Sequence, residues 1–319
     1  MKLVFMGTPE FARAILAALA PSRHELVSVV TGIDKPAGRH RRPRPTEVRQ
    51  EAERLGLPLI TVASLKNESL YDALFALGAD LFVVAAFRIL PPRLFTLPRL
   101  GAINIHASLL PRYRGAAPIN WALINGEAET GLTSFYLKEK VDTGDMILQQ
   151  RVAIAPTDTF DSLHAKLSSL AGEFTLRTID LIERGQTAIV VQDDSAATPA
   201  PKLRPEDARI DFGQPAKRVK DFVRGLATRP GAFTFFRGSK LKVHAAAVAE
   251  QAGEVSLSPG SVIPHKKRLL VSCTPGVVEL LRIVPAGKKE MDGTAFINGF
   301  RPRAGESLGQ VISGVEEES

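Results

Sequence analysis

The chain of 319 residues has a single cysteine, Cys273. One thiol excludes an internal disulfide and fits a reducing cytoplasm. With only six histidines, none at paired spacing, no structural zinc site is expected and no metal is called for. Long hydrophobic runs are missing too. The longest strongly apolar stretch, Leu81 to Phe87, is about a third of a membrane span, so no membrane partner is expected. The opening residues MKLVFMGTPE carry one Lys and an apolar run broken at Gly7 and Pro9, which is not the pattern of a signal peptide. Signatures of covalent catalysis are also absent: there is no Ser-x-x-Lys, no nucleophile elbow and no reactive cysteine context. Direct transfer between two bound partners fits better.

What is present is the balance of a globular enzyme, 45% hydrophobic and 24% charged, with length for two domains. The net charge of +7 is unevenly placed. Residues 1–200 carry 22 Lys and Arg against 21 Asp and Glu, whereas residues 201–304 carry 19 against 9. A basic domain beside a neutral one suggests a polyanionic partner, most simply nucleic acid.

The first half alternates strand-like and helix-like segments. KLVFM (2–6), ELVSVVTG (25–32), LPLIT (57–61), ADLFVVAAF (79–87) and GAINIH (101–106) read as strands, with helical material from Phe11 to Leu19 and near 46–55, 67–78 and 117–125. TSFYL (133–137) and MILQQRVAI (146–154) look extended. A long helix follows, with Phe160, Leu163, Leu167, Leu170 and Phe174 as its core-facing stripe. This order implies an α/β domain: a Rossmann-like, mostly parallel sheet with helices on both faces. The polar, proline-rich residues 191–207 read as a linker. Beyond them come one helix (215–227) and short strands punctuated by Gly and Pro, the pattern of a small antiparallel barrel. The expected boundaries are 1–190, 191–207 and 208–312.

Three segments carry chemistry. GTPEF (7–11) sits at a strand-to-helix turn but lacks the later glycines of a dinucleotide loop. In AINIHASLLPRYRGAAPINWALINGE (102–127), Asn104 and His106 lie two apart on a strand and leave the same face. The amide can donate to a carbonyl oxygen gaining negative charge, and the imidazole can move a proton. Ser108, Leu109, Leu110 and Pro111 follow, offering backbone polar groups beside apolar surface suited to a flat heterocycle. In KVDTGD (140–145), Asp142 either makes a turn or holds and polarises His106. KPAGRHRRPRP (35–45) breaks the neutrality of the first half with Lys35, Arg39, Arg41, Arg42 and Arg44. Such a stiff basic loop at the active edge is placed to grip phosphates.

These residues resemble the bacterial methionyl-tRNA formyltransferase family over nearly the whole chain. The resemblance rests on VFMGTPEFA, DKPAGR, NIHASLLPRYRGAAPINWALINGE and VDTGDMI, and later on ARIDF (208–212) and PAGKKEMDGTAFING (285–299). It implies a catalytic trio of Asn104, His106 and Asp142, a folate site including Ser108 to Pro111, and Arg39 as the leading acceptor-stem contact beside Lys35, Arg41 and Arg42. It also implies 10-formyltetrahydrofolate as donor, initiator methionyl-tRNA as acceptor, and an OB-like β-barrel as the second domain, in a cytoplasmic monomer. The chain departs from the family pattern at Phe87-Arg88, where an aromatic-Gly pair is common, in KEKVDTGD before Asp142, and in LATRPGAF (226–233). Three rivals stand beside this reading: a formyltransferase for a nucleotide sugar or other small amine, a hydrolase releasing formate from the same folate, and a non-catalytic nucleic-acid-binding protein.

Overall fold

A computed structural model describes residues 1–37, 42–249, 257–263 and 265–309. In chain order the first elements are β1 (Lys2–Gly7), α1 (Glu10–Leu19), β2 (Glu25–Gly32), β3 (Lys35–Ala37), β4 (Arg42–Arg44), α2 (Glu47–Arg54) and β5 (Leu59–Val62). They continue with α3 (Glu68–Ala76), β6 (Leu81–Ala85), α4 (Pro92–Phe95), β7 (Ala102–His106), α5 (Pro118–Ile124), β8 (Glu129–Tyr136), β9 (Met146–Ala153) and α6 (Phe160–Glu183). Seven strands form one sheet in the order β5-β2-β1-β6-β7-β8-β9. The first five run parallel, and β8 and β9 are added antiparallel.

β1 and β6 are central because they are apolar on both faces, as a strand covered by helices on both sides must be. Val4, Met6, Phe82 and Val84 point to one face and pack with Tyr71, Leu74 and Leu94 from α3 and α4. The alternate residues Phe5 and Val83 are equally buried on the opposite face, where α1 lies against β1 and β6. A Cβ on Gly172 of α6 would stand 2.4 Å from the Ala18 Cβ of α1, so those two helices touch where neither has a large side chain. β3 and β4 pair only with each other, a small hairpin outside the main sheet. No helix among the described residues is long and apolar enough to cross a membrane.

The chain divides into two units. One contains Met1–Pro118, Glu129–Ala153 and His164–Pro201; the other contains Ile119–Ala128, Ile154–Leu163 and the chain from Lys202 onward. The second unit holds α7 (Ala216–Leu226), β10 (Phe233–Phe236), β11 (Ser239–Val248), β12 (Val262–Ile263), β13 (Leu270–Ser272), β14 (Val277–Pro285), β15 (Met291–Asp292) and α8 (Gly293–Phe300). Among the described residues its six strands form an antiparallel half-barrel in the order β10-β11-β14-β13-β12, with β15 beside β14. Val219, Val223 and Leu226 of α7, Val243 of β11, Ile283 of β14 and Phe296 of α8 share its core.

Candidate active site

In a sheet of this kind the carboxyl ends of parallel strands make a crevice for ligands. Here β1 ends at Gly7, β2 at Gly32, β6 at Ala85 and β7 at His106, all on one edge. A pocket of about 410 Å³ opens there, lined by Thr8, Gly32, Arg44, Thr46, Phe87 and Arg88 among others. Its wall at Ala86 to Arg88 continues β6, whose Ala85 pairs with Ile105 beside His106. The Phe87-Arg88 departure noted in the sequence therefore forms part of this wall. Arg88 donates to the Ala63 carbonyl at 2.5 Å, and its Nη2 lies 3.5 Å from where a Gly32 side chain would begin.

His106 is 6% exposed, and each of its ring nitrogens faces an oxygen atom. Nε2 lies 2.9 Å from the Tyr113 carbonyl, which only accepts, so Nε2 carries a hydrogen. Nδ1 lies 3.8 Å from Asp142 Oδ2. That is too long for a hydrogen bond, but it sets a carboxylate against the nitrogen that would take up a second proton. Asp142 reaches this position from the loop between β8 and β9 with a left-handed backbone, φ 53°. Its Oδ2 accepts from the Gly115 N–H at 2.8 Å. Gly115 has φ 125°, and a Cβ there would meet the Ala200 carbonyl oxygen at 2.6 Å.

Asn104, half-buried on β7, shares a strand face with His106. Its amide has no hydrogen bond to another described residue. The structure thus brings Asn104, His106 and Asp142 to one edge of the sheet, two on β7 and the third on a loop folded back to them.

The residues expected at a heterocycle are largely occupied in holding their own loop. Ser108 is fully buried, and its hydroxyl donates to the Arg112 carbonyl at 2.7 Å. The Thr133 hydroxyl donates to the Ser108 carbonyl at 2.7 Å and accepts from the Leu110 N–H at 3.1 Å, while Gln149 donates to the Leu110 carbonyl at 2.7 Å. Leu110 is buried, which leaves Leu109 and Pro111 as the half-exposed members. Of the basic loop, the backbone of Lys35 and Arg42 lies in the β3–β4 hairpin. Arg39 and Arg41 lie outside the described residues.

Reasoning from sequence did not single out Tyr113, whose carbonyl holds His106, or Gln192, whose amide holds the Asp142 loop. Gln192 is 7% exposed and donates to the carbonyls of Asp142 and Gly144. Neither is legible locally, because one acts through its backbone and the other lies 50 residues from its partner. Elsewhere, His24, Asp180 and Glu183 come close enough to form a cation site. Arg23 already bridges the two carboxylates at 2.6 and 2.5 Å, and the Met1 ammonium lies 3.5 Å from Glu183.

The chain, with a mostly parallel sheet that carries Asn104, His106 and Asp142 at one edge and an antiparallel half-barrel in its second unit, belongs to the class of formyl transferases. The formyl transferase family model matches residues 1–179, and the model of the formyl transferase C-terminal domain matches residues 202–301. Among solved structures, the N-formyltransferase from Helicobacter canadensis, in complex with folinic acid and dTDP-3-aminofucose, is similar with a TM-score of 0.67. It is 17% identical, with 88% of this chain and 98% of that chain covered, a likeness of fold. At the level of sequence, the chain is 45% identical to the methionyl-tRNA formyltransferase of Chlorobium limicola over 94% of its own length and 96% of that protein. It is 40% identical to the methionyl-tRNA formyltransferase of Parabacteroides distasonis, over 97% and 98%. The chain belongs to the methionyl-tRNA formyltransferase family.

Proposed function

We propose that this protein transfers the formyl group of 10-formyltetrahydrofolate to the α-amine of methionine on initiator methionyl-tRNA, with Asn104, His106 and Asp142 acting at the reacting carbon. The observation that supports this reading is the His106–Asp142 pair beside Asn104, whose side-chain amide makes no hydrogen bond to another described residue. The neutral amine attacks the formyl carbon, and the carbonyl electron pair moves onto oxygen. The Asn104 amide donates to that oxyanion, and His106, charged and facing Asp142, stabilises it further. Collapse restores the carbonyl, breaks the bond to N10 of the folate, and leaves the formamide. The attacking nitrogen loses a proton and N10 gains one, with His106 or a water as the carrier.

Leu109 and Pro111 offer apolar surface to the pterin, while Ser108 and Leu110 fix the shape of the loop. Arg44, the last residue of the β3–β4 hairpin, and Pro45 directly after it lie in the pocket wall. The acceptor end therefore enters along that hairpin, with Lys35, Arg39, Arg41 and Arg42 supplying charge for its phosphates. Residues 1–190 carry the donor chemistry and residues 208–312, on the net-positive side, carry tRNA affinity. The enzyme works as a cytoplasmic monomer.

The test is kinetic. Asn104→Ala is expected to lower turnover by roughly 10²–10³ with donor binding nearly kept. His106→Ala and Asp142→Ala should cost about as much singly as together, because they act as one unit. Near-normal turnover in His106→Ala or Asp142→Ala would remove the pair from the mechanism.

A further inference from the structure

The stretch expected to link the domains begins with a segment that is tied into the active edge. Val190 and Met146 exchange both backbone hydrogen bonds, at 2.8 and 3.0 Å. Two residues on, the Gln192 amide nitrogen uses both its hydrogens on the far loop: one to the Asp142 carbonyl at 2.9 Å, one to the Gly144 carbonyl at 2.7 Å. Its oxygen accepts from Nε and Nη2 of Arg114 at 3.0 and 2.8 Å. Thr198 then accepts from the Tyr113 N–H at 2.9 Å through its hydroxyl and from the Arg114 N–H at 2.9 Å through its carbonyl. Ala200 donates to the Arg114 carbonyl at 2.6 Å.

These ties fall on two loops: one carries Asp142 itself, and the other, after β7, holds both members of the His106–Asp142 pair. Tyr113 supplies the carbonyl that holds His106 Nε2, and Gly115 supplies the N–H that holds Asp142 Oδ2. Tyr113 and Asp142 are both non-glycine residues in left-handed conformations, φ 63° and 53°. Such conformations persist only where the surroundings impose them. We propose that residues 190–200 form a strap across the active edge and that Gln192 is a positioning residue, fixing Asp142 against His106. This rests on the reading that the pair serves formyl transfer.

The chemistry singles out an amide. Only Asn and Gln pair two donor hydrogens with an acceptor oxygen in one flat group, and the length of Gln reaches from the strap to both carbonyls. A carboxylate would keep the bond to Arg114 and set negative charge against the Asp142 and Gly144 carbonyls. A thioether would lose all four bonds at nearly unchanged volume.

The experiment uses the full-length protein and steady-state formyl transfer. Gln192→Met and Gln192→Glu are expected to lower kcat by roughly 10–100-fold, since a misplacement of about 1 Å in a catalytic group costs up to that much. KM for donor and acceptor should change less than about twofold, the mark of an interaction that matters in the transition state rather than in binding. In an Asp142→Ala background the same substitutions should cost little more, because the strap acts through Asp142. Thr198→Val, which removes the tie to Tyr113, runs the same comparison from the other loop if either Gln192 variant fails to fold. Wild-type kcat in a folded Gln192→Met protein would overturn the strap. So would a loss that multiplies with Asp142→Ala, since that marks general damage. Full activity in Asp142→Ala alone would instead bring down the reading of the pair, so the two failures are told apart.

Discussion

Gly144 shows how little freedom single positions have at this site. A Cβ there would stand 1.6 Å from the Tyr136 carbonyl oxygen, so the turn after Asp142 closes only around glycine. Gly144→Ala is expected to shift the Asp142 backbone and reduce turnover by roughly 10², with far-ultraviolet circular dichroism unchanged. Turnover within twofold of wild type would mean that the turn tolerates displacement. The residues proposed to react were candidates in the sequence because of their chemistry: an amide and an imidazole two apart at a strand end, and an Asp in a turn, which the fold brings to one edge. Gln192 was not legible. It sits in a polar, proline-rich stretch, and what makes it important is a carbonyl 50 residues away in sequence.

Elements with a strong hydrophobic period were read well. β1, β2, β6 and β7 fall where their apolar runs lie, and α1 follows its expected start closely. β8 starts at Glu129, before the expected Thr133, because Glu129 and Gly131 carry little strand signal and are placed by pairing with β9. α8 carries almost no helical signal, having glycines at 293 and 299. It forms because Asp292 caps it, accepting from the Ala295 N–H at 2.7 Å, and because Phe296 is fully buried and stacks on Phe300 at 4.6 Å. The start of the sheet depends on a charge. Asp80, just ahead of β6, accepts from the Lys2 N–H at 2.8 Å and pairs with Arg99 at 3.0 Å. The Lys2 N–H and then Arg99 hold its carboxyl below the usual value. A lowered carboxylate stabilises the fold above its ordinary titration range and loses that contribution as pH falls through its lowered native value. Asp80→Ala should therefore cost roughly 1 kcal/mol at neutral pH. In urea melts the gap to wild type should close on acidification, and a gap independent of pH would deny the carboxylate this role.

Charge divides the whole molecule more sharply than sequence pattern does. Residues 1–200 are nearly neutral, and residues 201–304 carry ten more bases than acids. A small amine needs no such field, whereas a nucleic acid exploits it and makes binding steeply salt-dependent. The sequence gives this asymmetry in full, but not the interleaving of the units, because Ile119–Ala128 and Ile154–Leu163 join the second unit through contacts distant in sequence. The most direct measurement is kcat/KM for formyl transfer from 10-formyltetrahydrofolate to charged initiator tRNA at two salt concentrations, with free methionine as the competing acceptor. The account predicts rapid formylation of the charged tRNA, falling by roughly 10-fold or more between 50 and 200 mM salt, and negligible transfer to free methionine. Equal use of free methionine, or a tRNA rate indifferent to salt, would contradict it.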